Sequence, residues 1–197
     1  MSNSFSERQI EIMQAATKRI DSFGIQELTI KNLAADLNLS EAALYRHFES
    51  KNKILLGLIN YFMLDMKSRI GDIIIQENKT SGELLRQLFA SQLNNFVKNP
   101  AICSVIFSEG IFQFNKELSN QLSKMMEMMQ QNIASLIEKG QKNGEISTLL
   151  SVDAITTIIM GSMRMVVLKW KLSGNKSNLI KDGTMVLNGL LKMIEKQ

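Results

Sequence analysis

A chain of 197 residues, 45% hydrophobic and 21% charged, has an ordinary globular composition and room for one large or two small domains. One proline beside 11 glycines favours helix, while a single Cys103 and a single His47 exclude an intramolecular disulfide and a structural zinc site. The net charge of +4 says little about partners, because residues 1 to 60 hold seven basic and seven acidic side chains.

The opening MSNSFSERQ is polar and acidic where a signal peptide would be basic and then apolar. A first helix is expected over about Glu7 to Phe23, started by a Ser6/Gln9 capping box and stopped at Gly24. Its apolar set of Ile12, Ala15, Ala16, Ile20 and Phe23 would cover two short helices that follow. In the first of these, about 30 to 37, Ile30, Leu33, Ala34 and Leu37 share one face and Thr29 stands as the cap. Asn38 suits a left-handed stop, and Ser40 can cap the next helix, about 41 to 47. Two short helices joined by so tight a turn form a helix-turn-helix, whose second helix enters a DNA major groove.

Ser50 then caps a longer helix, about 51 to 76, that carries Lys51 and Lys53 in its first turn. Cations there oppose the helix dipole at a cost of roughly 0.3 to 1 kcal/mol each, so a phosphate facing this end would explain them. Residues 77 to 82 read as a loop. Further helices are expected over about 83 to 98, 101 to 111, 116 to 142, 152 to 172 and 177 to 195, with breaks at Asn99-Pro100 and Asn143-Gly144. No stretch reaches 18 apolar residues, and the most apolar, Ala154 to Leu168, is interrupted by Arg164, so a cytoplasmic chain with no membrane association is expected.

LNLSEAALYRHFESKNKIL, preceded by IEIMQAATKRIDSFGIQELTIKNLA, resembles the signature of the TetR/AcrR family of bacterial one-component transcriptional repressors over about residues 8 to 60. Asn38 stands where that family usually has glycine, and Ala42 where many members do; asparagine tolerates positive φ, so the corner is kept. The resemblance implies an all-α fold of about nine helices: a helix-turn-helix DNA-binding domain over 1–52 and a helical ligand-binding and dimerisation domain over 53–197. It also implies phosphate contacts from Thr29, Tyr45, His47 and Lys51, in a region where Lys31 and Arg46 gather further charge. Bases would be read by Ser40, Glu41, Ala42 and Ala43; Glu41 either accepts from a cytosine amino group or simply complements the helix dipole.

In the family the last two helices usually build a four-helix bundle with a partner subunit. Here Ile155, Ile159 and Val166 follow one face of the penultimate helix, and Val186, Leu187, Leu190, Leu191 and Ile194 one face of the last, giving the expected homodimer interface. Met125, Met126, Met128, Met129, Met160, Met163 and Met165 crowd two C-terminal helices. Such side chains are either plain core filler or, with aromatic neighbours, the adaptable wall of an apolar pocket. The pocket expectation, which rests on the resemblance, names Phe62, Met66, Phe89, Phe96, Phe107, Met125, Met129, Met160, Met163 and Trp170, with Phe112 and Phe114 beside them and Glu109 and Arg164 as the available charges.

The expected function is a homodimeric repressor on palindromic double-stranded DNA, released by a small apolar or aromatic effector, with no cofactor. The alternatives are an activator, a regulator controlled by a protein partner, and a helical interaction module of the same fold. No catalytic constellation is visible, so an enzyme is not expected.

Overall fold

The structure, a computed structural model, describes residues 5–107 and 115–196. The described helices are α1 (Glu7–Phe23), α2 (Ile30–Asp36), α3 (Glu41–Tyr45), α4 (Lys51–Ile74), α5 (Ser81–Lys98), α6 (Pro100–Ile106), α7 (Lys116–Lys142), α8 (Val152–Leu172) and α9 (Leu179–Ile194), with a short 3-10 turn over Ile25–Glu27. The fold is all-α, with a helix-turn-helix at its N-terminal end. Among the described residues no helix is long and apolar enough to cross a membrane.

Local chemistry sets most borders. Ser6 accepts from the Gln9 N–H while the Gln9 side chain accepts from the Ser6 N–H at 3.1 Å, so the capping box forms at α1. Gly24 at φ +84° ends that helix, and Asn38 at φ +53° supplies the left-handed corner. Several borders differ from the expected ones for identifiable reasons. Helix α3 stops at Tyr45 rather than His47 because the Leu44 carbonyl takes both the His47 and Phe48 N–H groups, at 3.0 and 3.1 Å, tightening the chain so that Phe48 turns inward. Helix α4 stops at Ile74, where Gln76 bonds back only three residues, to Ile73. Helix α5 begins at Ser81 because Thr80 and Glu83 make a reciprocal box that the loop assignment overlooked. Helix α6 starts one residue early, with Pro100 in its first turn where no N–H is needed. It is described only to Ile106, and Glu109, Phe112 and Phe114 lie outside the described residues. Asn178 caps α9 by accepting from the Lys181 N–H, which moves its start to Leu179.

By contacts the chain divides into two compact units, Met1–Leu64 with Asn99–Ser123, and Asp65–Lys98 with Lys124–Gln197. Residues 99–123 group with the first unit. In that unit α1 contributes Ile12, Met13, Ala16 and Ile20 to a core shared with Leu33, Leu44 and Phe48. Gly57 of α4 lies so close to this core that an added Cβ would stand 3.1 Å from both Met13 Sδ and Phe48 Cε1. Cys103 is buried in the same unit.

In the second unit α9 packs on α5 and α8. The approach to α5 is close: an added Cβ at Gly183 would lie 2.4 Å from Leu93 Cδ1, and at Gly82 it would overlap the Glu195 carboxylate. The C-terminal end is pinned. Ser147 N–H donates to the Ile194 carbonyl at 2.8 Å and Lys196 N–H to the Glu145 carbonyl at 2.9 Å, while the Arg86 guanidinium grips Glu195 through two bonds of 2.8 Å.

Candidate nucleic-acid interface

Helix α3 is five residues long and too short to hold itself. Ser40 Oγ accepts from the Ala43 N–H at 3.1 Å, and Leu44 is its one fully buried side chain. On the preceding helix Thr29 Oγ1 accepts from the Asn32 N–H at 3.1 Å, and the Asn32 amide reaches back to the Glu27 carbonyl. A fork between Arg19 and Asp36, with its longer bond at 2.7 Å, ties α1 to the end of α2. That exposed pair raises the Arg19 pKa and lowers that of Asp36, each chiefly through the shared hydrogen bond. The Gln9 amide of the capping box also donates to the His47 carbonyl at 3.3 Å, fixing the chain just after α3. The capping box could be read in the sequence, whereas this second role of Gln9 depends on folding.

With its backbone held in this way, the unit turns a row of side chains outward. Thr29, Lys31, Ser40, Glu41, Ala42, Tyr45 and Arg46 are exposed; Ala43, His47 and Lys51 are half-buried. Tyr45 in particular is 48% exposed, more than a packing residue would be. Among the described residues no carboxylate lies within ion-pair distance of Lys31 or Arg46.

The two lysines of α4 do not both point to solvent. Lys51 Nζ donates to the Ile25 carbonyl at 3.2 Å, and the accompanying loss of water lowers its pKa, partly offset by Glu27. Lys53 Nζ instead meets Glu117 of α7. Both therefore have partners within the first unit that the sequence pattern did not suggest.

The expected pocket residues fall into both units. Phe62 and Phe107 belong to the first, Phe62 buried and Phe107 half-buried; Met66, Phe89, Phe96, Met125, Met129, Met163 and Trp170 are buried in the second, with Met160 half-buried. Met126 and Met165 are exposed. Arg69 brings charge to the edge of the second unit's core, bonded to Asp65 at 2.7 Å and to Ser91 at 2.9 Å.

The residues expected at a dimer interface do not form a free face: Ile155, Ile159, Val166, Leu187, Leu190, Leu191 and Ile194 are buried inside this chain and Val186 is half-buried, so these side chains fill the chain's own core. The apolar side chains left in water on the same helices are Ile158, Met165, Leu168 and Leu172 of α8 and Met185 and Met193 of α9. Gly161 and Gly189 lie among them, each with nothing within 4 Å of an added Cβ. Positions 158, 161, 165, 168 and 172 step by three and four, the seam spacing of a helix that meets another helix.

A model of the bacterial regulatory proteins of the tetR family matches residues 12–58, and one described as YsiA-like protein, C-terminal region, matches residues 58–193. The chain belongs to the TetR family. It is a DNA-binding transcription regulator with a helix-turn-helix. Among curated relatives it is 30% identical over 139 residues to the nucleoid occlusion factor SlmA of Shewanella pealeana, covering 70% of each chain. Among solved structures it shares the fold of a transcriptional regulator from Saccharomonospora viridis in complex with choline, with a TM-score of 0.84 at 22% identity over 97% of this chain and 99% of that one. It shares it also with the transcriptional regulator FadR of Bacillus subtilis in complex with stearoyl-CoA, at a TM-score of 0.79 and 21% identity over 92% and 97% of the two chains.

Proposed function

We propose that this TetR-family regulator is a homodimeric repressor that leaves a palindromic operator when a small apolar effector binds its second unit. The observation that carries the DNA reading is the outward row on α2 and α3. Arg46 and Lys31 face solvent with no acid among the described residues to neutralise them, Tyr45 stands clear, and the first turn of α3 presents the small Ala42 and Ala43 with Ser40 and Glu41. Phosphate contacts from Thr29, Lys31, Tyr45, Arg46, His47 and Lys51 would set register. Ser40, Glu41, Ala42 and Ala43 would meet base edges. Lys51 would have to exchange the Ile25 carbonyl for a phosphate oxygen.

The uncovered seam on α8 and α9 supports pairing with a second copy, which would set two recognition helices one DNA turn apart, about 34 to 36 Å. For the effector, buried Met66, Phe89, Met125, Met129, Met163 and Trp170 offer an adaptable apolar lining, and the stearoyl-CoA bound by the Bacillus subtilis regulator makes a long acyl chain the first ligand to try. The mechanism is a population shift: an effector that binds 1.4 kcal/mol better to a packing with misplaced recognition helices lowers operator affinity about tenfold.

The test is fluorescence anisotropy of the full chain against DNA from upstream of its own gene and a scrambled duplex, across salt, with and without acyl-CoA. With three cationic contacts per subunit, from Lys31, Arg46 and Lys51, and so about six per dimer, log affinity should fall with log salt at a slope of about −5. Arg46→Gln should weaken both duplexes alike and make the slope shallower by about 2. An unchanged Arg46→Gln variant would remove Arg46 from the interface. Unaltered affinity with every acyl-CoA bound would remove the release mechanism.

A further inference from the structure

Lys53 and Glu117 come from helix ends far apart in sequence, and both sit in the first turn of their helices, α4 and α7. Lys53 Nζ donates to both oxygens of Glu117, at 2.8 and 3.1 Å, and both side chains remain substantially exposed. Four residues along α7, the Gln121 amide donates to Asn60 on α4, so the first turns of α7 are fastened to α4 at two points. The Glu117 carboxylate gives the Lys53 ammonium the kind of anionic partner that a phosphate oxygen would otherwise be. The hydrogen bonds raise the Lys53 pKa, so the ammonium stays charged wherever DNA binding is measured.

We propose that Glu117 is a built-in competitor of the DNA backbone, holding Lys53 in an autoinhibitory ion pair that must open before Lys53 can take a phosphate. This rests on the DNA-binding reading above and deepens it: Lys53 is a conditional phosphate contact, and Glu117 sets its availability. The pair is exposed, so it lowers the availability of Lys53 by a modest factor and does not block it outright. Because Glu117 is fixed to α7, any rearrangement that shifts the first turn of α7 changes whether Lys53 is free. DNA affinity is then adjusted from a helix outside the helix-turn-helix.

The experiment is a salt titration of DNA binding by the full-length chain in four forms: wild type, Glu117→Gln, Lys53→Gln and the double variant. Glu127→Gln, at an exposed position ten residues along the same helix, carries the same change of charge and serves as the control. Freed Lys53 adds one contact per subunit, so Glu117→Gln should steepen the slope of log affinity against log salt by about 2 per dimer and tighten binding several-fold at low salt. The double variant should lose that gain, and Glu127→Gln should leave the slope where it was. Matched circular-dichroism melts show that the variants remain folded. Wild-type binding with an unchanged slope for Glu117→Gln overturns the proposal alone, as does a gain that survives in the double variant. Failure of wild type to bind any duplex overturns the DNA reading and the proposal with it.

Discussion

Replacing Met165 with glutamate tests whether the apolar seam on α8 and α9 is covered by a second copy. Met165 is 58% exposed in the single chain, so its fold should tolerate the change. Full burial of a methionine is worth about 1.5 to 3 kcal/mol, and covering the exposed part of this one recovers roughly 1 to 1.5 kcal/mol. Two-fold symmetry counts the position twice, for about 2 to 3 kcal/mol, a rise in the dimer dissociation constant of roughly 30- to 150-fold. Those values are a lower bound, because two carboxylates would also be brought into an apolar contact. Sedimentation equilibrium over a wide concentration range reads the constant directly, and far-UV circular dichroism checks that the monomer is intact. A variant whose dissociation constant stays within threefold of wild type would refute the assignment of this face, and a wild type that is monomeric at micromolar concentration would refute pairing altogether.

Two further outcomes follow from local geometry. Gly183→Ala drives a methyl group to 2.4 Å from Leu93 Cδ1, at an overpacking cost of about 1 to 3 kcal/mol against a helix-propensity gain of about 1, so urea unfolding should show a net loss near 1 kcal/mol. Gly71→Ala, in an exposed turn of α4 with nothing near its Cβ, should gain about 0.5 to 1 kcal/mol in the same assay, and equal signs for the two would show that the contact at Gly183 is not felt. Glu145 is held below the ordinary glutamate range first by the Ser81 N–H, which donates to its carboxylate at 2.7 Å. A depressed carboxylate contributes stability above its unfolded pKa and loses it as pH falls through the folded value, so stability should drop as pH falls below about 4. Glu145→Gln should make that acid limb shallower, and thermal melts from pH 7 to pH 3 would show a parallel limb if the bond contributes nothing.

Caps were the part of this fold most legible in the sequence, because their chemistry is complete within four residues. Ser6 with Gln9, Thr29, Ser40 and Ser50 each accept the backbone N–H three positions on, and Gly24 and Asn38 take the positive φ their positions require. The borders of α7 and α8 were legible for a related reason: long helices carry several turns of consistent pattern. The inward turn of Phe48 ended α3 early, and the Thr80/Glu83 box moved the start of α5 into a stretch that reads as loop.

Of the candidate site, the row on α2 and α3 was legible as a set of outward side chains, whereas the apolar faces of α8 and α9 were not, and the reason is visible in α8. Ile155, Ile159, Val166 and Trp170 make an apolar stripe along that helix, and Ile158, Gly161, Met165, Leu168 and Leu172 make another at nearly the same period. Periodicity detects stripes; it does not say which one meets α9 of the same chain and which is left for another surface. The choice is tertiary. Here Leu187 and Leu191 of α9 are buried with the first stripe, leaving the second in water, with Leu172 79% exposed at its end. The same limit governed the lysines of α4. The pattern of charge at this helix start led to the expectation of a phosphate facing it, but a pattern could not supply the partner within the chain. The chain provides one for each: the Ile25 carbonyl for Lys51 and the Glu117 carboxylate for Lys53. On the DNA reading proposed above, a cation that already has an internal partner binds a phosphate only by exchanging it, and one of these partners, Glu117, lies outside the helix-turn-helix signature.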